Sequence, residues 1–282
     1  MEILNAGCKV NLGLRITGVR PDGYHELDSL FWPLPHPHDC LEIRPLHSGG
    51  LKFFCAQPDF PADNTLTRAY ALFARAAGHA PSLELTLHKG IPHGAGLGGG
   101  SSDAAALLLW LNARAERPLA GQDLSAIAAR VGADTPFFLQ SSPCRVRGIG
   151  EILEPVGRML TGWHLVLVCP MIHVSTPWAF AAYDAACAGQ NSLTIAGGGA
   201  NGVFLSGGRP LPDMHNDLEA VVLACHPQLA AIKADLLRFG AEAAGMSGSG
   251  SSMVGLFAAE NAAQDAARHL RGENWRVFTH VL

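Results

Sequence analysis

The chain has 282 residues, of which 48% are apolar and 16% are charged, so it can bury a sizeable core in one large domain or two modest ones. The formal net charge is −4 and no run of five or more like charges occurs, which argues against a surface that binds nucleic acid. No apolar run approaches the roughly 20 residues that a membrane-spanning helix needs, and the first residues lack the pattern of a signal peptide.

The first half of the chain alternates predicted strands and helices. Apolar residues alternate with polar ones along four predicted half-buried strands, at residues 10–16, 41–43, 51–55 and 83–87. Apolar residues at helical spacing predict three helices, at residues 66–77, 102–115 and 124–131, the first of them closed by Gly78. A short apolar run at residues 137–139 is interpreted as a buried strand.

Several turns at residues 148–157 separate the two halves and predict a boundary between domains 1–157 and 158–282. The second half opens with a continuous apolar strand at residues 164–170, and Thr176 followed by a proline then predicts the start of a helix. Residues 189–213 are rich in Gly, Ser and Pro and are interpreted as a mobile loop.

The end of the chain completes an α+β pattern. Asn216 and Glu219 resemble a capping box that opens a helix interrupted by Pro227 and ended by Gly240. A second Gly/Ser loop, then a strand, a helix and a last strand follow, at residues 246–253, after 253, near 262–270 and at 275–281. Seven cysteines without tight spacing indicate reduced thiols and a cytoplasmic location rather than disulfides or a zinc site.

Glycine occupies five of the seven positions from 94 to 100, between a predicted strand and a predicted helix. Gly94, Gly96 and Gly99 match a dinucleotide-binding fingerprint, but a second helix follows where that motif requires a strand. A P-loop would need lysine where Gly100 stands. A bare backbone at a helix N-terminus still suits an anion, and a merely structural turn would need only one or two glycines.

Residues 92–102, with the sequence PHGAGLGGGSS, resemble the phosphate-binding motif of the GHMP kinases, and residues 246–253 resemble the C-terminal motif of that family. Residues 8–31, 132–139 and 216–219 resemble the member that phosphorylates the 2-hydroxyl of a cytidine-diphosphate-linked methylerythritol with ATP and Mg²⁺, in the non-mevalonate route to isoprenoid precursors. The resemblance implies an α+β, two-domain GHMP kinase fold: a ribosomal S5 domain 2-like N-terminal domain with a left-handed βαβ crossover, and a ferredoxin-like C-terminal domain.

Two catalytic residues follow from the resemblance. Asp134 is implied as the base that takes the proton of the acceptor hydroxyl, although from spacing alone it could equally cap the next element. Lys9 is implied as its partner, which steadies charge on the alkoxide; the alternative is a solvent-facing lysine at a strand edge. The family usually has Pro-Ala just before this lysine, where Gly7 and Cys8 stand here.

The resemblance also implies two sets of binding residues. Several have an ordinary alternative: Asn11 as part of a solvated strand face, Asn64 as a helix N-cap, and Phe180 as a core residue. ATP is implied to contact Asn64, Lys89, Pro92, Gly94, Ala95, Gly96, Leu97, Gly98, Gly99, Gly100, Ser101 and Ser102. The cytidylyl substrate is implied to contact Asn11, Tyr24, His25, Asp134, Thr176, Phe180, Ser247 and Gly248. The sequence identifies no dedicated magnesium ligand, beyond the hydroxyls of Ser101 and Ser102.

Three other functions remain open at this stage. Another GHMP kinase, of the homoserine or mevalonate type, would keep the ATP site and change the acceptor; Tyr24, His25 and Phe180 argue against it, because a cytosine needs an aromatic sandwich. A non-catalytic nucleotide-binding sensor would not need both Lys9 and Asp134. An RNA-binding role rests on fold analogy alone. The expected partners are small molecules, without nucleic acid or membrane, for a monomer or weak homodimer.

Overall fold

The structure is a computed structural model that describes residues 1–57, 60–188, 203–206, 209–273 and 275–282, the side chains of 203–206 excepted. It divides into two compact units, and each is interleaved in sequence because the long strands β1 (Glu2–Val19) and β2 (His25–Pro45) both cross from one to the other. Unit 1 comprises Met1–Cys8, Pro33–Ile91 and Gly98–Ser142, and unit 2 comprises Lys9–Trp32, Pro92–Leu97 and Pro143–Leu282. The predicted domain boundary at residue 157 stays a prediction.

Unit 1 is a small mixed sheet with four helices. β3 (Leu51–Cys55) runs parallel to β4 (Leu83–His88), and β4 pairs antiparallel with the carboxyl half of β2. The leucines at alternate positions of β4 are buried and join the core formed with the helices. The helices are α1 (Thr65–Ala77), α2 (Gly99–Arg114), α3 (Gly121–Val131) and α4 (Thr135–Gln140).

Unit 2 is built around a four-stranded antiparallel sheet. Its order is β10 (Ala243–Met246), β11 (Met253–Phe257), β7 (His164–Cys169) and β12 (Arg276–Val281). β7 lies in the interior of this sheet, which explains its unbroken apolar run. The other elements are β5 (Cys144–Gly148), β6 (Ile152–Pro155), α5 (Thr176–Ala188), β8 (Val203–Ser206), β9 (Arg209–Pro212), α6 (Glu219–Cys225), α7 (Pro227–Arg238) and α8 (Glu260–Arg271).

The predicted α+β class is confirmed, and most predicted elements are present. The helix over residues 66–77 begins beside Asn64 and ends at Gly78, whose φ of 75° is the left-handed conformation that glycine adopts readily. β3 and β4 form a parallel pair with α1 between them in sequence, while the left-handed crossover stays a prediction.

Three sequence interpretations are wrong. Residues 137–139 lie in helix α4, because Pro136 sits in its first turn and three apolar residues cannot reveal a period. The interpretation of 189–213 as one loop fails at β8 and β9, which form a hairpin; residues 189–202 and 207–208 lie outside the described residues. The strand at residues 10–16 is not half-buried, since every residue there except Arg15 is buried.

In the described part of the chain, no single helix is long and apolar enough to cross a membrane. α6 and α7 would pass together by length and composition, but they are bent by 116° at their junction.

Candidate active site

In unit 2, residues 92–97 of the first glycine loop (residues 92–102) pack against the second glycine loop (residues 246–253). The Ser247 hydroxyl donates to the carbonyl of Gly96 (3.0 Å), and the Ser252 amide donates to the carbonyl of Ala95 (3.2 Å). The backbones approach so closely that a Cβ atom built on Gly96 would lie 2.1 Å from the Ser247 carbonyl oxygen. The predicted site residues Ala95, Gly96 and Ser247 are therefore brought together.

Replacing Gly96 by alanine is expected to destabilise the protein by at least about 2 kcal/mol, because the φ of 74° is strained for alanine and the new methyl group meets backbone. The matched control is Gly121→Ala at the start of α3, where a Cβ atom would meet nothing within 4 Å. Urea unfolding of both variants measures the effect. Equal stability of the two variants would contradict the close approach of the loops.

Lys9 and Asn11 are buried beside these loops, with 4% and 2% of their surfaces exposed. The Lys9 ammonium donates to Asn11 Oδ1 (2.5 Å) and to the Gly96 carbonyl (3.2 Å), and it lies 4.5 Å from the centre of the Phe31 ring. The backbone N–H of Asn11 donates to the hydroxyl of Ser247 (3.0 Å). The alternatives of a solvent-facing lysine and a solvated strand face are therefore wrong, because both side chains lie in a polar cluster.

The departure from Pro-Ala before Lys9 has a local structural reason. A Cβ atom on Gly7 would lie 2.5 Å from the carbonyl oxygen of Leu34, so β1 and β2 approach closely there. Cys8 is buried, and its thiol lies 3.6 Å from the carbonyl oxygen of His36. Glycine is required for this approach, and the chain continues into the strand that carries Lys9 without interruption.

In unit 1, residues 99–102 of the first glycine loop form the N-terminus of α2, which begins three residues earlier than predicted. Gly98 occupies the N-cap with a φ of 71° and offers no side chain to the helix, so the first amides are left for another partner. A Cβ atom on Gly100 would lie 3.3 Å from the Thr65 hydroxyl at the start of α1. Ser101 lies next to Gly132, whose Cβ would meet its hydroxyl at 3.3 Å.

Asp134 follows Gly132 by two residues and occupies the N-cap position of α4. It is half-buried, and its carboxylate makes no capping hydrogen bond with the helix. The alternative interpretation as a helix cap is therefore wrong. The turn that carries Asp134 and the N-terminus of α2 lie side by side within unit 1, through the contact between Gly132 and Ser101. Lys9 belongs to unit 2.

Lys89 is held by two buried carboxylates, so its ammonium does not point to solvent. It forms ion pairs with Asp39 and, at 3.2 Å, with Asp103 on α2. Desolvation by burial raises the pKa of Asp103, against the opposing effect of the Lys89 charge. Burial lowers the pKa of Lys89, but the charges and hydrogen bonds of Asp103 and Asp39 outweigh that effect and raise the pKa overall, so Lys89 stays charged.

His25 and Phe180 meet in unit 2, as the predicted substrate site requires. Their rings stack with centroids 4.7 Å apart and planes inclined by 26°. His25 Nε2 also hydrogen-bonds Asp184 (2.8 Å), which lies one turn after Phe180 on α5. Tyr24 is 61% exposed, so its ring is available to a ligand.

Three further predicted residues have local roles that the structure defines. Asn64 caps α1, its Oδ1 accepting from the amides of Leu66 (2.9 Å) and Thr67 (3.1 Å). The hydroxyl of Thr176 lies 2.8 Å from that of Ser249, which links α5 to the second glycine loop. Gly248 packs near Asn11, where a Cβ atom would lie 3.1 Å from Oδ1. The ligand contacts of Asn64, Thr176 and Gly248 stay predictions.

The capping box predicted at Asn216 and Glu219 is wrong, because the Glu219 side chain binds the Met246 amide and Lys233 instead of the Asn216 amide, although Asn216 Oδ1 does accept from the Leu218 amide (2.9 Å). Asn216 Nδ2 donates to the carbonyls of Met246 and Gly248, each at 2.8 Å, and Glu219 accepts from the Met246 amide (2.8 Å). These backbone groups would otherwise be buried without partners. α6 itself begins after Leu218, without a side-chain cap.

Sequence reasoning missed four polar residues around these clusters: Ser29, Asp39, Asp103 and Asp184. Asp184 was signalled by its spacing, since it lies four residues after Phe180 and therefore on the same helix face. Asp39 and Ser29 carried no such signal, because their partners lie far away in sequence. Within the described residues, no group of three or more His, Cys, Asp or Glu side chains is arranged to hold a metal ion.

Two family models match this chain. The model of the GHMP kinases N terminal domain matches residues 64–142, and that of the GHMP kinases C terminal matches residues 201–276. The chain therefore belongs to the GHMP kinase family, and the two-domain GHMP kinase fold predicted from the glycine loops is confirmed.

Within this family, the chain is similar to proteins named 4-diphosphocytidyl-2-C-methyl-D-erythritol kinase. The one from Nitratidesulfovibrio vulgaris (strain DP4) is 48% identical over 99% of this chain and 98% of its own length. The one from Solidesulfovibrio magneticus is 45% identical over 98% of this chain and 95% of its own length.

Solved structures give the same result. A crystal structure of 4-(cytidine 5'-diphospho)-2C-methyl-D-erythritol kinase, 33% identical, matches with a TM-score of 0.75 over 99% of this chain and 98% of that one. A homoserine kinase from Cytophaga hutchinsonii, 17% identical, has a TM-score of 0.71 over 99% of this chain and 94% of its own, and it shows the shared fold alone.

Proposed function

We propose that the protein transfers the γ-phosphoryl group of ATP to the 2-hydroxyl of 4-diphosphocytidyl-2-C-methyl-D-erythritol, a step of the non-mevalonate route to isoprenoid precursors. The observation that carries this proposal is the 48% identity, over nearly the full length of both chains, to a kinase of that name. The buried Lys9, the glycine loops and the stack of His25 on Phe180 supply side chains and backbone of the kind that the reaction needs.

Phosphoryl transfer requires mainly positioning and charge stabilisation. Asp134 accepts the proton of the 2-hydroxyl while that oxygen bonds to the γ-phosphorus and ADP leaves. The half-buried carboxylate, without a capping role in α4, supports this assignment. Lys9 supplies the positive charge, held in a fixed position by Asn11 and the Gly96 carbonyl. That the two residues serve one reaction rests on the family resemblance.

The first glycine loop binds the phosphates of ATP. The uncapped N-terminus of α2 and the positive φ of Gly94, Gly96 and Gly98 support this, because such backbone presents N–H groups to an anion. Mg²⁺ neutralises the developing charge on the phosphate oxygens when it is bound. The hydroxyls of Ser101 and Ser102 suit its preference for oxygen, with ATP supplying further ligands. Asn64 flanks the nucleotide, whereas the Lys89 ammonium is held by Asp39 and Asp103.

The cytosine binds between Tyr24 and Phe180. Phe180 is already stacked with His25, and Tyr24 is exposed on the neighbouring position of the chain, so both faces of a base can be covered. The amide-bearing Asn11 and the loop residues Ser247 and Gly248 contact the rest of the substrate. An acceptor without an aromatic base has no use for this arrangement.

Replacing Phe180 by alanine raises the KM for the cytidylyl substrate about tenfold, because base–aromatic stacking is lost, and leaves the KM for ATP unchanged. The matched control is Trp178→Ala, which removes an exposed aromatic residue of α5 that meets His226 edge to face. Steady-state kinetics with each substrate varied in turn measures both constants. Equal KM values for the two variants would refute the cytosine site.

The experiment that tests the function is ATP consumption by the purified protein with Mg²⁺, with four acceptors compared in parallel: the cytidylyl methylerythritol, homoserine, mevalonate and galactose. Turnover with the cytidylyl substrate alone is expected. Turnover with another acceptor would refute the acceptor and keep the kinase. ATP binding without turnover of any acceptor would favour a sensor. Cytoplasmic location and a monomeric or weakly dimeric state stay predictions.

A further inference from the structure

Both ends of the first glycine loop meet one buried cluster in unit 1. The cluster consists of Asp39 on β2, Lys89 directly after β4, and Asp103 in the second turn of α2. Lys89 precedes the loop and Asp103 follows it, so their ion pair at 3.2 Å joins the two ends. Asp39 and Asp103 are buried, with 0% and 2% of their surfaces exposed, so neither is arranged to touch ATP directly.

Asp39 fixes the point where the chain leaves β4. Its Oδ1 accepts from the amides of Gly90 and Ile91, both at 2.7 Å, while Oδ2 binds the Lys89 ammonium. The backbone at Gly90 is in direct contact with the backbone of β2 at His38, since a Cβ atom on Gly90 would lie 2.0 Å from the carbonyl oxygen of His38. The orientation of the amides that lead into the loop is thereby set by one carboxylate.

The same cluster fixes the point where α2 begins. A Cβ atom on Gly99, the first residue of the helix, would lie 3.3 Å from Asp39 Oδ2 and 3.1 Å from the Ile91 side chain. Gly98 supplies no side-chain cap, so capping does not hold this helix end in place. Residues 92–98 of the loop form no strand or helix, and ordering them costs conformational entropy that contacts at the two ends help to offset.

The charges indicate that this cluster serves more than stability. Two carboxylates share one ammonium away from water, and Asp103 Oδ1 has no hydrogen-bond partner among the described residues. Apolar side chains of the same size often stabilise a core as well as or better than a buried ion cluster does. A buried ionic cluster at the two ends of a ligand-binding loop therefore points to positioning as its role.

We propose that Asp39 and Asp103 are positioning residues for the first glycine loop. Acting through Lys89, they fix where the loop leaves β4 and where α2 begins, and they thereby set the affinity for ATP. The inference rests on the proposed function in one respect, since it takes this loop as the binding site for the phosphates.

The test is the dissociation constant for ATP, measured by calorimetric titration of the full chain without an acceptor. Asp39→Asn keeps an oxygen for the amides of Gly90 and Ile91 but presents an NH₂ group to Lys89, so the constant is expected to rise about tenfold. The KM for ATP rises in parallel, while kcat and the KM for the acceptor stay within about twofold.

The matched control is Asp28→Asn in unit 2. Asp28 is similarly buried, with 7% of its side chain exposed, and it holds Arg145 by two hydrogen bonds of 3.0 and 2.6 Å. This variant loses an ion pair whose carboxylate is buried, and with it stability, but its affinity for ATP is unchanged. If Asp39 had a merely structural role, Asp39→Asn and Asp28→Asn would show the same dissociation constant and the same KM for ATP.

A second variant keeps the inference testable if Asp39→Asn fails to fold. Asp103→Asn preserves the volume and an oxygen for Lys89, and it is expected to raise the dissociation constant about threefold. Affinities within about 1.5-fold of the control for the variants that fold would overturn the inference, as would wild type that binds no ATP. Wild type that binds ATP but phosphorylates none of the acceptors would refute the proposed function and leave this inference standing.

Discussion

Replacing Asp134 by asparagine is expected to lower kcat about 10³-fold, while the dissociation constant for ATP stays within about twofold. The amide keeps the shape of the side chain but cannot accept the proton of the acceptor hydroxyl. Because Asp134 makes no capping hydrogen bond with α4, the substitution removes no helix cap. Single-turnover phosphoryl transfer and calorimetric titration with ATP measure the two quantities.

The control for this variant is Asp123→Asn, in the first turn of α3, which makes the same change of charge in the same unit. It is expected to keep wild-type kcat and to lose at most a few tenths of a kcal/mol from the helix dipole. A kcat for Asp134→Asn within tenfold of wild type would contradict the assignment of the base. Such a variant would show that the reaction does not need the Asp134 carboxylate to take the proton.

Local signals predicted the elements whose boundaries are set by neighbours in sequence. The helix over residues 66–77 carried its apolar spacing, an asparagine before it and a glycine after it, and each acts as predicted. The strand at residues 83–87 alternated, and its leucines are buried. The first glycine loop was recognisable because five glycines in seven positions exceed what a turn requires.

Interactions between distant residues could not be predicted from the sequence. Asn216 and Glu219 have the spacing of a capping box. Their side chains nevertheless bind backbone groups of Met246 and Gly248, which lie far away in sequence. β1 alternates like a half-buried strand, although residues 8–14 are all buried. Burial of both faces depends on which elements cover a strand, and periodicity cannot reveal that.

For the site, the residue types came from the resemblance and their surroundings from the structure. Lys9 could equally have been an exposed lysine, and only its burial beside Asn11 and Gly96 decides against this. The cluster around Lys89 lay outside sequence reasoning, because Asp39 is 50 residues away and its partner amides carry no side-chain signal. Resemblance transfers roles, whereas the groups that hold each side chain in place depend on tertiary packing.

Replacing Lys9 by methionine is expected to lower kcat about 10²- to 10³-fold, because the charge that stabilises the developing alkoxide is lost. Asn11 Oδ1 and the Gly96 carbonyl lose a buried donor, so the free energy of unfolding also falls by about 1–3 kcal/mol. Lys52→Met on β3 is the control, since that lysine is exposed and its loss leaves no buried acceptor. Kinetics are measured well below the melting temperature of each variant.

The double variant of Lys9 and Asp134 decides whether the two residues serve one reaction. Residues that act as a unit show strongly non-additive losses, because removing the second changes little once the first is gone. The double variant is therefore expected to be about as slow as Asp134→Asn alone, within roughly tenfold. Losses that multiply in full would mean that Lys9 acts independently of the base, through its hold on Asn11 and the first glycine loop rather than through the charge of the acceptor oxygen.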